Sequence, residues 1–192
     1  MNELDLIAEN IRNKNFDEAL RLCKLNENSK NKSVIYNFIG VINFIKKDFL
    51  QAENFFLDAI KIDSKFEDPI KNLCSIYSNN KKYDKLLEYS LKLYNLDNSN
   101  PRNIFRLGSA NELNKNFDEA IKYYEEFINT TGSDKKIGYN NIGNIYLRKG
   151  KAKTSLKFFS RALKLEIDKN NKVLINNILL CYLLLRDEIK AE

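Results

Sequence analysis

The sequence predicts an all-helical protein built from a repeated pair of helices, on three observations. Only 6 glycines and 2 prolines occur in 192 residues, too few for an all-β chain full of tight turns. Apolar residues recur three, four and seven positions apart, which places them on one face of a helix. The heptapeptide Asn-Lys-Asn-Phe-Asp-Glu-Ala appears twice, at 13–19 and at 114–120. A repeat that long argues for one structural unit copied several times.

The copies follow once a shorter period is sought. Ala19, Ala52, Leu86, Ala120, Ser155 and Ala191 fall at intervals of 33, 34, 34, 35 and 36 residues. Each is preceded by a second signature. Tyr139-x2-Ile142-Gly143-x2-Tyr146 is the cleanest; Tyr36-x2-Ile39-Gly40-x2-Asn43 and Ile104-x2-Leu107-Gly108-x2-Asn111 follow it. Leu4-x2-Ile7-Ala8-x2-Ile11 and Ile70-x2-Leu73-Cys74-x2-Tyr77 are looser. After the small residue come Ala52-x3-Phe56-x2-Ala59 and Ser155-x3-Phe159-x2-Ala162.

This pattern resembles the tetratricopeptide repeat: W-x2-L-G-x2-Y on a first helix, then A-x3-F on a second. The resemblance covers nearly the whole chain, as five full repeats and the first helix of a sixth. It departs in having no Trp, and Ser64, Asn98 and Gly132 where a closing Pro is usual. It implies a single domain over residues 1–192, an all-α, right-handed α-solenoid of stacked antiparallel hairpins. The hairpins are expected at about 2–28, 33–63, 67–97, 101–131, 136–167 and from 172 on.

Packing and capping expectations follow. Small residues at Gly40, Gly108, Gly143, Ala52 and Ala120 let two helices approach closely, and Phe16, Phe49, Tyr83 and Phe117 fill the wedge between neighbouring hairpins. In the third repeat Leu86 stands for the small residue and Ser90 for the aromatic, an exchange that conserves volume. Asn15-x2-Glu18, Asp48-x2-Gln51 and Asn116-x2-Glu119 read as capping boxes. Asp68-Pro69 and Asn100-Pro101 read as an N-cap before a first-turn proline. Val34, Phe38, Val41, Phe44 and Ile45 make one first helix apolar nearly all round, which marks it as buried or as a hydrophobic contact.

Composition bounds the chemistry. The chain has no His, which removes His-based triads and His metal sites, and it has no Gly-rich phosphate loop. Asp17-Glu18 and Asp118-Glu119 sit at helix starts, where carboxylates suit the helix dipole. Cys23, Cys74 and Cys181 have no metal-ligand spacing and fall on core positions; free buried thiols in a reducing compartment, the cytoplasm, are the expectation. The net charge of +6 comes from scattered basic residues, which favours acidic partners slightly without implying nucleic acid. The run Ile178 to Leu185 is too short to span a bilayer, and the N-terminus has no signal peptide pattern. No enzyme activity, cofactor, nucleic acid or membrane insertion is expected.

The resemblance implies a binding role: first helices of the hairpins line a concave groove for a protein or peptide. The side chains expected there are Asn37, Val41 and Phe44; Lys71, Asn72, Ser75 and Asn79; Arg102, Phe105, Arg106, Ser109 and Glu112; and Asn140, Asn141, Asn144 and Leu147. Some members of the family clamp a terminal carboxylate with Lys, Asn and Arg. Here Asn72 matches the central Asn and Arg106 the Arg, with Arg102 where Lys is usual; the first pair departs, as Asn37 and Val41. Lys71, Arg102 and Arg106 point to an acidic partner. The apolar C-terminal stretch, Val173 to Leu185, exceeds one packing stripe and suggests docking or self-association there, as a structural subunit would.

Overall fold

A computed structural model of the chain describes residues 2–130, 135–166 and 171–191, with side chains to residue 186. Gly132 lies outside the described residues. Eleven α-helices and no strand are present among them: α1 Glu3–Arg12, α2 Phe16–Leu25, α3 Lys32–Ile45, α4 Phe49–Ile62, α5 Glu67–Asn79, α6 Tyr83–Leu96, α7 Pro101–Leu113, α8 Phe117–Thr130, α9 Lys135–Arg148, α10 Ala152–Lys164 and α11 Lys172–Ala191. The first ten pair into five hairpins close to the expected bounds. The chain divides into two compact units, Met1–Leu96 with three hairpins and Asp97–Glu192 with two hairpins and α11.

All five hairpins turn by the same device. Two positions past the last residue of each first helix stands one in the left-handed region: Lys14, Lys47, Lys81 and Lys115, with φ of 55–65°, and Gly150 at 69°. The next residue donates its N–H back to the carbonyl five positions earlier, Asn15 to Asn10, Asp48 to Asn43, Lys82 to Tyr77, Asn116 to Asn111 and Lys151 to Tyr146. This is a Schellman stop, which satisfies the helix's last carbonyls. Four of the five left-handed positions carry Lys, whose charge suits a helix C-terminus.

That shared turn fixes the register of the first repeat, one residue away from the expected one. Asn10 takes the place of Asn43, so Ile7, not Ala8, stands where Gly40 stands in the next hairpin. Ile7 is fully buried in a cluster with Cys23 and Ile35. The Asn side chains that replace the pattern's Tyr donate to the carbonyl one turn back: Asn10 to Leu6, Asn43 to Ile39 and Asn111 to Leu107, each at 2.9 Å.

The glycines sit against aromatic rings of their own hairpins. A Cβ on Gly108 would fall 2.9 Å from Tyr124, and one on Gly143 2.7 Å from Phe159. In the third hairpin Cys74 Sγ lies 3.8 Å from Ser90 Oγ at the same two positions, so the volume exchange is made across the helix pair. Ile7 against Cys23 is the fully inverted case, a large residue on the first helix and a small one on the second.

Other expectations divide. Asp48 caps α4 through the Gln51 N–H, and Asn100 caps α7 through the Arg102 N–H with Pro101 at the first helical position. Asn15 makes no side-chain cap bond; its amide donates to Asn10 Oδ1 at 3.4 Å, and the Glu18 side chain is held by Arg21. α5 starts before Asp68, at Glu67 after Phe66, which leaves Pro69 buried within the first turn. Phe117 packs on the α8–α9 cluster as expected, but Phe49 is 36% exposed and folds edge-on against Phe44 of its own hairpin. Helix α3 is covered on several sides, by α1, α2, α4 and α5. α11 runs 20 residues without a break, so Ala191 lies on the same helix as Leu174 rather than on a second one. Leu184-Leu185-Arg186 stand where other repeats have their turn, and all three favour helix.

Candidate functional site

Of the groove candidates in the first unit, Asn37, Asn72 and Lys71 are each engaged within the protein. Asn37 is buried and accepts a 3.2 Å hydrogen bond from Asn72 Nδ2, so the two amides join α3 to α5. Lys71 is paired on its own helix, 2.8 Å from Glu67 and 3.4 Å from Asp68. Those carboxylates hold its ammonium charged, the Glu67 hydrogen bond contributing most, with burial opposing. Glu67 and Asp68 precede it by four and three residues, a spacing that makes helix neighbours. Its charge is therefore already balanced.

A carboxylate that the sequence reading passed over ties the second hairpin to the third. Glu53 of α4 is buried; it accepts from Tyr77 Oη at 3.0 Å and from Lys85 Nζ at 2.9 Å, with Lys82 Nζ at 3.5 Å. Burial raises its pKa, but the bonds from Lys85 and Tyr77 and the two lysine charges outweigh that, and it is lowered overall. No spacing marks Glu53 in the sequence, because its partners come from two other helices.

In the second unit the candidates separate into framework and open groups. Phe105 packs on Tyr124 and Phe127, with centroids 5.6 and 5.2 Å away. The Tyr124 hydroxyl donates to Glu112 at 2.8 Å, and Asn141 and Ser109 also bond to it. Burial first, then Glu112, raises the Tyr124 pKa. Glu112 continues to Arg148 at 3.2 Å, which joins α7, α8 and α9. Asn144 accepts from Asn177 Nδ2 at 3.2 Å, a link from α9 to α11. Arg106 reaches Asn103 Oδ1 at 3.5 Å. Arg102 is exposed, and neither its guanidinium nor the half-buried amide of Asn140 has a partner among the described residues.

Asn140 lines a cavity of about 310 Å³ with Lys136 and Ile137 of α9, Ala162 of α10, Glu166, Asn171, and Val173 and Leu174 of α11. Lys136 Nζ lies 3.0 Å from Glu166, whose second oxygen accepts from Asn171 at 2.8 Å. The Asn171 side chain in turn accepts the Leu174 N–H at the start of α11.

Comparison with known proteins agrees with the hairpin geometry. The family profile described as tetratricopeptide repeat matches residues 34–66, 101–131 and 138–166. The chain carries tetratricopeptide repeats. These three matches are the hairpins in which a glycine meets an aromatic ring, at Gly40, Gly108 and Gly143. The two unmatched hairpins are those with Ile7 against Cys23 and Cys74 beside Ser90. No curated protein sequence matches the chain. Among solved structures it is similar to YrrB, described as a tetratricopeptide protein with an unusual peptide-binding site, at a TM-score of 0.77 and 15% identity over 91% of this chain and 89% of that one. It is also similar to MamA from Desulfovibrio magneticus RS-1, at 0.73 and 17% identity over 89% and 99%. A further MamA structure shares 22% identity at 0.73, over 82% and 86%. Likeness at these identities is likeness of fold. The repeats are all-helical protein-interaction architecture, and no helix among the described residues is long and apolar enough to cross a membrane.

Proposed function

We propose that this chain is a non-enzymatic scaffold, residues 1–192 acting as one binding domain, which holds a protein or peptide along the first helices of its hairpins. The observation that carries this is the division within the second unit. Arg102 on α7 and Asn140 on α9 have no partner among the described residues, while Phe105, Asn141 and Asn144 on the same helices are fixed by the framework. Open donors on rigid helices suit recognition, since little ordering cost remains on binding. Arg102 and Arg106 support an acidic partner, through the forked geometry of guanidinium with carboxylate. The three buried free thiols support a reducing compartment, the cytoplasm.

Selection of a displayed library of random 12-residue peptides on the full chain tests this reading. Enriched peptides are expected to be acidic, and Arg102→Ala with Arg106→Ala to weaken them about tenfold, more strongly at low salt. Failure to enrich any peptide, with no protein partner recovered from native lysate, would sink it.

A second reading is favoured by α11. Val173, Leu179, Leu180, Tyr182 and Leu183 are exposed on it, Leu183 by 50%. Such a row suits docking in a larger assembly or self-association.

A further inference from the structure

We infer that the cavity between α9 and α11 is an anchor pocket for an extended peptide, taking one uncharged aliphatic side chain while Asn140 pairs with the adjoining peptide group. This rests on the reading of the chain as a peptide-holding scaffold and names the part of it that reads the partner's sequence.

The chemistry of the walls selects the occupant. Ala162 and Leu174 are buried in the cluster behind the cavity, and Ile137 and Val173 stand at its rim, 42% and 67% exposed. An aliphatic side chain entering here removes its own surface and theirs from water, the main source of affinity in such pockets. The cavity of about 310 Å³ is at the small end of ligand sites, which suits one side chain and its peptide group rather than a folded domain.

Charge argues for an uncharged anchor. Lys136 and Glu166 neutralise one another across the wall, and both oxygens of Glu166 are taken, by Lys136 and by Asn171. A charged side chain would enter beside a compensated pair and lose its water with no net opposite charge to meet. Lys136 keeps ammonium protons beyond the one directed at Glu166, and these can meet a peptide carbonyl.

Asn140 supplies the register. A carboxamide offers an acceptor and two donors in one plane, the complement of a peptide's N–H and C=O. Its neighbours on the same helix, Asn141 and Asn144, are engaged by Tyr124 and Asn177. Asn140 has no partner among the described residues and lines the cavity. It is the side chain left to hold a visiting backbone.

The test uses N-acetyl-leucine-N-methylamide, an aliphatic side chain between two peptide groups, against N-acetyl-glycine-N-methylamide, which lacks the side chain. Each is titrated into the isotope-labelled full chain and followed by NMR at the Asn140 amide and the Ile137, Val173 and Leu174 methyls. Saturable shifts at these groups with the leucine probe, at a dissociation constant of about 1–10 mM, and none with the glycine probe, are expected. Asn140→Ala should weaken binding about tenfold, and so should Val173→Asp, whose exposed position leaves the helix intact. Absence of saturation at these groups, or unchanged affinity in both variants with native melting, overturns the pocket. That outcome leaves the scaffold reading standing if library peptides still bind through Arg102 and Arg106. Saturation here with no library peptide enriched is the reverse case: the pocket is real and the extended groove is not.

Discussion

Phe56 Cε1 lies 2.6 Å from the point where a Cβ on Gly40 would stand, so the ring occupies the space that a side chain there would need. The same relation holds between Gly143 and Phe159 at 2.7 Å, and both rings are fully buried. Each hairpin thus fills one shared volume from either of its two helices.

Adding the missing carbon should therefore be costly. Gly143→Ala is expected to lose about 1–3 kcal/mol by forcing the buried Phe159 ring to move. Gly143→Cys with Phe159→Ser copies the Cys74–Ser90 pair, and should recover at least about 1 kcal/mol relative to the sum of its single variants. Urea melts of the four proteins decide; strict additivity would show that the two positions do not share a space.

The turns predict gains. A residue with a Cβ is disfavoured in the left-handed region, and Lys14, Lys47, Lys81 and Lys115 all occupy it. Replacing any one by Gly relieves that strain, less the entropy that Gly adds to the unfolded chain, for a net gain of roughly 0.5–1 kcal/mol. Thermal melts of Lys47→Gly and Lys115→Gly check this, and lowered midpoints in both would refute it.

Acid should loosen the first unit through Glu53. Its pKa is lowered in the fold, so the stability it contributes is present above the unfolded value of about 4.3 and is lost as pH falls through the folded value. Glu53→Gln should cost about 1–3 kcal/mol at pH 7, by removing the charged acceptor of Tyr77 and Lys85, and much less at about pH 2. Equal costs at both values would mean that the carboxylate's charge is irrelevant.

The thiols give a chemical readout of packing. Cys23, Cys74 and Cys181 are buried, and burial pushes the Cys23 thiol up to about 11. Iodoacetamide near pH 8 should leave all three unmodified in the folded chain and alkylate them in urea. Rapid labelling of Cys23 in the native protein would place it at the surface.

The α11 face is tested by association. Leu180→Lys with Leu183→Lys replaces two exposed leucines. If this face joins copies of the chain, light scattering should show a larger species that the variant abolishes. A monomer at every concentration in the unchanged protein would end the self-association reading.

Much of the fold was legible in the residues. Period, helix count and hairpin bounds follow from apolar spacing and from short Asn-Lys turns, which act over a few neighbouring residues. The first repeat slipped by one because Leu4, Ile7, Ala8 and Ile11 fit the pattern in a register that the Asn10 turn does not share. Ala191 continued the arithmetic of the small residues, but no turn signal precedes it, and α11 runs on. Among groove candidates, Lys71 points to an acidic partner by its position in the repeat, yet Glu67 and Asp68, within helical reach in the sequence, already pair with it.

The sequence by itself determined the hairpins, since helix, stop and helix are set by local propensity and by the turn residues. Only tertiary structure decided which side chains are spent within the protein and which are left over. Asn37, Asn140, Asn141 and Asn144 are chemically the same residue on equivalent helices. Asn72 engages the first, Tyr124 the third and Asn177 the fourth, each from another helix, and the second lines a cavity. A hydrogen bond depends on the position of two atoms within a few tenths of an ångström, and a repeat pattern carries no such distance.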